Sequence, residues 1–109
     1  MRRLIVTLAV VAALAVTSAA GASVRGVGIT SPIRHGSYAT LTVSVSRTST
    51  CSITVFYKSG PSEAAGLYPK RGKRISWSWR VGTRTTPGRW PITVSCGSAG
   101  TLRTSFVVT

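Results

Sequence analysis

Short antiparallel strands, about seven of them, stacked as an all-β sandwich and pinned by one disulfide, are the architecture expected of this chain. Three features lead there. From Val24 onward apolar and polar residues alternate with a period of two, and no amphipathic helix is visible. Clusters of Gly, Pro and Ser bound the alternating runs, as they do in sandwiches and barrels. Two cysteines, Cys51 and Cys96, stand in a domain small enough to need a covalent staple.

Residues 1–22 read as a signal peptide. Arg2 and Arg3 form a basic start, Leu4 to Val16 is apolar apart from Thr7, and Ala20-Gly21-Ala22 fits an A-x-A cleavage site. The apolar run falls short of the about 20 residues that span a bilayer. The alternative is an uncleaved anchor. Arg2-Arg3 lacks the fuller twin-arginine motif, so the general secretory route is expected. With no later apolar segment or sorting motif, the mature chain is expected to be secreted, free or loosely held at the cell surface, with no stable membrane span. Residues 23–109 would form one domain, read as a monomer.

In an exported chain an even cysteine count argues for a disulfide between Cys51 and Cys96. Closing a loop of roughly 46 residues stabilises by about 4 kcal/mol on the chain-entropy account. Free thiols or a two-cysteine metal site are the alternatives.

Removing Arg2 and Arg3 takes the fourteen Lys and Arg to twelve and the net charge from +13 to +11, with Glu63 the only acid. Asp, Asn and Gln are absent. An anionic cell-wall polymer or another polyanion is the partner such a surface suits. The competing explanation is that the charge only keeps the protein soluble.

In chain order, Val24 to Thr30 is a weak first strand. In Tyr38 to Ser46, Ala39, Leu41, Val43 and Val45 share one face and hydroxyl residues the other. A turn is expected at Arg47 to Thr50. Cys51 to Lys58 follows, with Cys51, Ile53, Val55 and Tyr57 on one face, and Ser59-Gly60-Pro61 ends it. Ala64 to Leu67 is a candidate edge strand, and Tyr68 to Lys73 a loop. In Arg74 to Val81, Ile75, Trp77, Trp79 and Val81 alternate with Ser76, Ser78 and Arg80. Exposing that apolar face would forfeit about 1.5–3 kcal/mol per large side chain, so both tryptophans are expected in the core. The alternative is an exposed stacking platform for bases or sugars. Thr85 to Gly88 is expected to turn, with Pro87 and Gly88 at its centre. Next comes a strand with Trp90, Ile92, Val94 and Cys96 on one face, and Pro91 suits its entry or an unpaired position. Gly97 to Gly100 is a tight turn, and Thr101 to Thr109 points Leu102, Thr104, Phe106 and Val108 inward.

The run Gly88-Arg89-Trp90-Pro91-Ile92-Thr93-Val94-Ser95-Cys96 resembles the G-x-aromatic-x-V-x-V sixth strand of bacterial immunoglobulin-like domains. Gly36 to Val43 and Cys51 to Tyr57 look like the second and third strands of that fold. The chain looks most like small exported single-domain proteins of high-GC bacteria. It departs from antibody domains, which link the second and sixth strands and carry a core tryptophan on the third. The resemblance implies that the third and sixth strands are antiparallel neighbours and that Cys51–Cys96 bridges them within one sheet. A lettering shifted by one strand would make the bridge inter-sheet. The family implies no catalytic residues; its members serve in adhesion, binding or spacing, and the shared fold assigns none of these.

Enzymatic readings fail on inventory. A glycosidase needs two carboxylates, and there is one. A serine triad would need His35 and Glu63, both in expected loops, to converge with some serine, and no nucleophile-elbow motif occurs. His35 and Glu63 are too few for zinc, and His35 reads as a surface loop residue. No phosphate-binding or dinucleotide motif occurs, and no cofactor is expected. A non-catalytic binding or structural module remains, contacting a polyanion through Lys70, Arg71, Lys73 and Arg74, with Arg80 and Arg89. With the tryptophans inside, charge stands without aromatic interleaving, which disfavours specific nucleic-acid readout. A lectin-like or protein-recognition domain is the alternative reading, and a secreted inhibitor or effector a third.

Overall fold

The structure, a computed structural model, describes residues 23–109; the expected signal peptide lies outside the described residues. Among the described residues six strands form: β1 (Val24–Ile29), β2 (Tyr38–Tyr57), β3 (Gly60–Pro61), β4 (Lys70–Arg80), β5 (Gly88–Ser95) and β6 (Thr101–Val108). All neighbouring strands pair antiparallel. The first half of β2 lies between β1 and β4 in one sheet. Its second half lies between β3 and β5 in the other, with β6 beyond β5. The two sheets face each other, and the chain is an immunoglobulin-like sandwich as expected.

The main departure is β2, a single 20-residue strand where two strands and a turn were expected. Arg47-Thr48-Ser49-Thr50 holds no Gly, Pro, Asn or Asp, so nothing forces a tight turn there. Four β2 residues between Ser44 and Ser49 instead bulge opposite the single residue Lys73, and the strand bends from one layer into the other. The two ends of β2 meet again. Ala39 pairs with Trp79, whose Nε1 donates to the Tyr57 hydroxyl at 3.2 Å. This places Arg47 to Cys51 at one pole of the sandwich, the corner pole, and Tyr57 at the other.

Three further expectations are corrected. Ala64 to Leu67 is a turn, not an edge strand; Gly60–Pro61 occupies the edge beside β2. Lys70 to Lys73 is strand rather than loop, held by Arg71 and Gly72 pairing with Thr50 and Ser49. The turn before β5 centres on Thr83 and Arg84, closed by Thr85 N–H to Gly82 O at 3.1 Å, with only a bend at Pro87. Pro91 stands one residue beyond the β2 ladder, which ends at Ile92, so its missing donor interrupts no β2 pairing.

The core lies where the alternation placed it. Trp77 and Trp79 are fully buried, with Ile75, Val81, Leu41, Val43, Ile92, Val94 and Phe106 around them. Trp79 and Phe106 meet edge-to-face at 5.7 Å, and Tyr57 stands edge-on to Phe106 and Trp90. Each indole N–H has an acceptor: Trp77 to Tyr68 O, Trp79 to the Tyr57 hydroxyl, Trp90 to Thr86 O. Burial is therefore achieved without orphaning a donor. Thr104, expected inward, is only half-buried, as is Leu102, while Phe106 and Val108 are inside.

The segment between β3 and β4 packs against β4 through Gly66. Gly66 has φ +98°, and a Cβ there would fall 2.1 Å from Ser78 O. Only glycine lets this turn approach the strand so closely.

Candidate binding surface

At the corner pole β4 pairs with β2 along one edge, and no strand among the described residues pairs with the other. Such an edge invites pairing with foreign strands, and lysine and arginine are the usual protection against it. Here the sequence supplies four cations in five residues. Arg71, Lys73 and Arg74 are exposed and Lys70 half-buried. Lys70 Nζ donates to Ser76 O at 2.8 Å and lies 5.1 Å over the Tyr68 ring. Arg71 Nη1 donates to Thr50 Oγ1 at 3.2 Å. Lys70 and Arg71 are thus partly fixed from within the protein.

The fold recruits two further cations to this pole. Arg25 on β1 and Arg74 on β4 flank Ser44 on either side in register. Across two strand spacings their Cα atoms are about 10 Å apart. Arg47 sits in the β2 bulge opposite Lys73 and donates to Ser98 Oγ. Neither was singled out in the sequence. Arg25 reaches its position through the β-bulge between Gly26 and Gly28, which leaves no residue-level signature.

Arg80 and Arg89 do not join them. Arg80 is six residues along β4 from Arg74, about 20 Å away in extended chain, and its Nε donates to Gly36 O at 3.0 Å. Arg89 is the second residue of β5, in the second sheet, and donates to Ser105 Oγ at 3.0 Å. The six expected residues therefore divide into a cluster of four and two outliers at the opposite pole.

Between the poles the outer face of the first sheet is lined with hydroxyls. Thr42 and Ser76 meet across the strands at 2.7 Å, and Thr40 and Ser78 at 2.8 Å. One acid can neutralise one cation at most, so the positive field is nearly uncompensated. Cys51 and Cys96 are joined, with Cα atoms 4.1 Å apart. They continue the register that pairs Ser52 with Ser95, so the bridge lies within one sheet, between adjacent strands. Cys51 also pairs in register with Lys70, which ties the cationic end of β4 to the covalent staple. His35 is an exposed loop residue, its Nδ1 3.0 Å from Thr109 O. Among the described residues no three His, Cys, Asp or Glu side chains gather as a metal site, and no helix is long and apolar enough to cross a membrane.

No protein-family model matches this sequence, and no curated protein matches it. Solved structures do. A chain of the crystal structure of the titin M10–obscurin-like 1 immunoglobulin complex is 17% identical, covering 82% of this chain and 94% of its own, with a TM-score of 0.51. A chain of the titin domains z1z2 in complex with telethonin is 14% identical, covering 79% of this chain and 46% of its own, with a TM-score of 0.49. At such identity the likeness concerns the fold alone, and the first of the two agrees with the layers described above: this chain is an immunoglobulin-like β-sandwich stapled by Cys51–Cys96.

Proposed function

We propose that the protein is an exported, non-catalytic binding or structural module that contacts an anionic cell-envelope or extracellular polymer through the corner pole of its first sheet. The contact residues are Lys70, Arg71, Lys73 and Arg74, extended by Arg25. The observation that carries this reading is the concentration of cations on the unpaired edge of a strand whose indoles are fully buried. Apart from the Tyr68 ring beneath Lys70, what that pole presents is charge, which suits a repeating polyanion better than a single shaped ligand. Export is supported by the leader-like residues 1–22, and the disulfide is compatible with an extracellular site.

The test is retention on a carboxylate- or phosphate-bearing polymer as salt is raised. Binding through four to five cations should weaken steeply, because affinity follows ion release. Replacing Lys70, Arg71, Lys73 and Arg74 together by serine should abolish retention, while replacing Arg80 and Arg89 should leave most of it. Retention that persists at about 1 M salt, where charges are screened within about 3 Å, refutes the proposal.

A second reading, recognition of a specific glycan or protein, is favoured by the exposure of Tyr38 at 69% and Tyr68 at 56%. Tyr38→Ala and Tyr68→Ala would then weaken binding in a manner insensitive to salt.

A further inference from the structure

The pole opposite the corner holds a cleft of about 560 Å³, lined among others by Tyr57, Lys58, Ser59, Arg84, Thr85 and Thr86. The geometry points to a second, separate binding site there, for an acidic sugar: a pyranose ring bearing a carboxylate.

Four observations meet in it. First, the lining carries two cations, Lys58 and Arg84, and no acid. They come from different elements, Lys58 from the β2–β3 turn and Arg84 from the tip of the turn before β5. An anion in the cleft would therefore meet positive charge supplied by both turns. Second, the Tyr57 hydroxyl is already an acceptor for Trp79 Nε1, so its single hydrogen remains available to donate. Burial raises the Tyr57 pKa, the indole hydrogen bond opposing this, so the phenol is a neutral donor at physiological pH. Third, Ser59, Thr85 and Thr86 bring hydroxyls that can both donate and accept, as the hydroxyls of a sugar require. Fourth, the wall is braced. Thr86 O receives Trp90 Nε1 at 2.8 Å, and the Thr83–Arg84 turn is closed by Thr85 N–H to Gly82 O. A pre-formed wall spares the ligand the cost of ordering it.

The volume separates a sugar from a bare anion. A cleft this size is in the range of small-molecule sites, and much larger than phosphate or carboxylate alone requires. The Tyr57 ring and the threonine methyls add apolar wall for the C–H face of a pyranose. This site does not depend on the polymer contact at the corner pole: Tyr57 lies six β2 residues from Cys51, about 20 Å of extended chain.

The test is a titration of the oxidised protein with a glucuronate disaccharide, followed through the amide resonances of Gly82, Thr85 and Thr86. Neutral glucose and inorganic phosphate serve as separate arms. Saturable shifts confined to this pole are expected with the disaccharide. Arg84→Ala should weaken the affinity about ten-fold, the loss of one charge-assisted contact. Tyr57→Phe should weaken it by a smaller factor, while the Lys73→Ser, Arg74→Ser double variant should change it less than two-fold. No saturation by about 10 mM disaccharide, an affinity too weak to distinguish from non-specific contact, overturns the assignment. Equal binding of inorganic phosphate overturns the sugar and leaves an anion site only. Equal losses in Arg84→Ala and in the Lys73, Arg74 variant overturn the separate location.

Discussion

The two halves of β4 are built from the same strand and obey opposite rules. Ile75 to Arg80 alternates strictly, its apolar side chains buried and its serines and Arg80 exposed. Lys70 to Arg74 breaks the alternation, with both Lys73 and Arg74 outside. The difference follows from what each half faces. The downstream half covers the second sheet, so each inward position meets Phe106, Val55 or another core residue. The upstream half pairs with the bulged corner of β2, where the ladder is interrupted between Ser44 and Ser49 and consecutive Lys73 and Arg74 both stay exposed. One strand thus serves as a core wall for half its length and as a charged edge for the rest.

Truncating the core half should have the largest effect. Trp79→Ala removes a fully buried indole that meets Phe106 edge-to-face and leaves the Tyr57 hydroxyl without its donor. A loss of about 3–5 kcal/mol in unfolding free energy is expected from chemical denaturation. A loss below about 1 kcal/mol would mean that this half of β4 is not a core wall.

Removing the staple comes next, and it probes the charged half. Cys51→Ala with Cys96→Ala opens a cross-link of sequence separation 45 and should cost about 2–5 kcal/mol. Because Cys51 pairs with Lys70, hydrogen exchange should rise first in residues 70–74 and later, if at all, in residues 75–80. Uniform acceleration along β4 would erase the distinction between its halves.

Much of the core half was legible in the sequence and little of the charged half. Ile75, Trp77, Trp79 and Val81 stand at period two, and the cost of exposing them decides the face, so burial follows from residue type alone. The same holds for the face of Ile92, Val94 and Cys96. The corner is different. Nothing in Arg47 to Thr50 encodes a four-residue bulge, and a run of Lys, Arg and Gly reads as loop unless the pairing strand is known. Arg25, which completes the cationic pole, depends on a register shift invisible in composition, while Arg80 and Arg89, expected beside Lys70 to Arg74, lie at the other pole because strand length and sheet order separate them. The cleft at the other pole is assembled from two turns, and its Arg84 sits in the turn that was expected at Thr85 to Gly88.

A smaller effect should appear at high pH and again separates the halves. Tyr57 holds its proton more tightly in the folded chain than unfolded, chiefly through burial. The folded state therefore binds more protons above the ordinary phenol value of about 10, and stability should fall as pH rises past it, with no contribution below. Tyr57→Phe should flatten that alkaline decline, at a cost of about 1–3 kcal/mol for leaving Trp79 Nε1 unpaired. An unchanged decline would show that its origin is not Tyr57.

The smallest change in stability should come from the residues proposed to matter most for binding. Lys73 and Arg74 are exposed, and replacing both by serine removes two charges from a pole that also carries Lys70, Arg71 and Arg25. Such surface changes ordinarily move stability by no more than about 0.5 kcal/mol. Here the sign should be positive at low salt, because the cations repel one another with almost no acid to balance them, and the gain should vanish as salt screens the repulsion. Thermal melts of the double variant at low and high salt check this directly. A destabilisation of more than about 1 kcal/mol at either salt concentration would show that these cations hold the edge of β4 in place, and the division of the strand into a core wall and a free charged edge would fail.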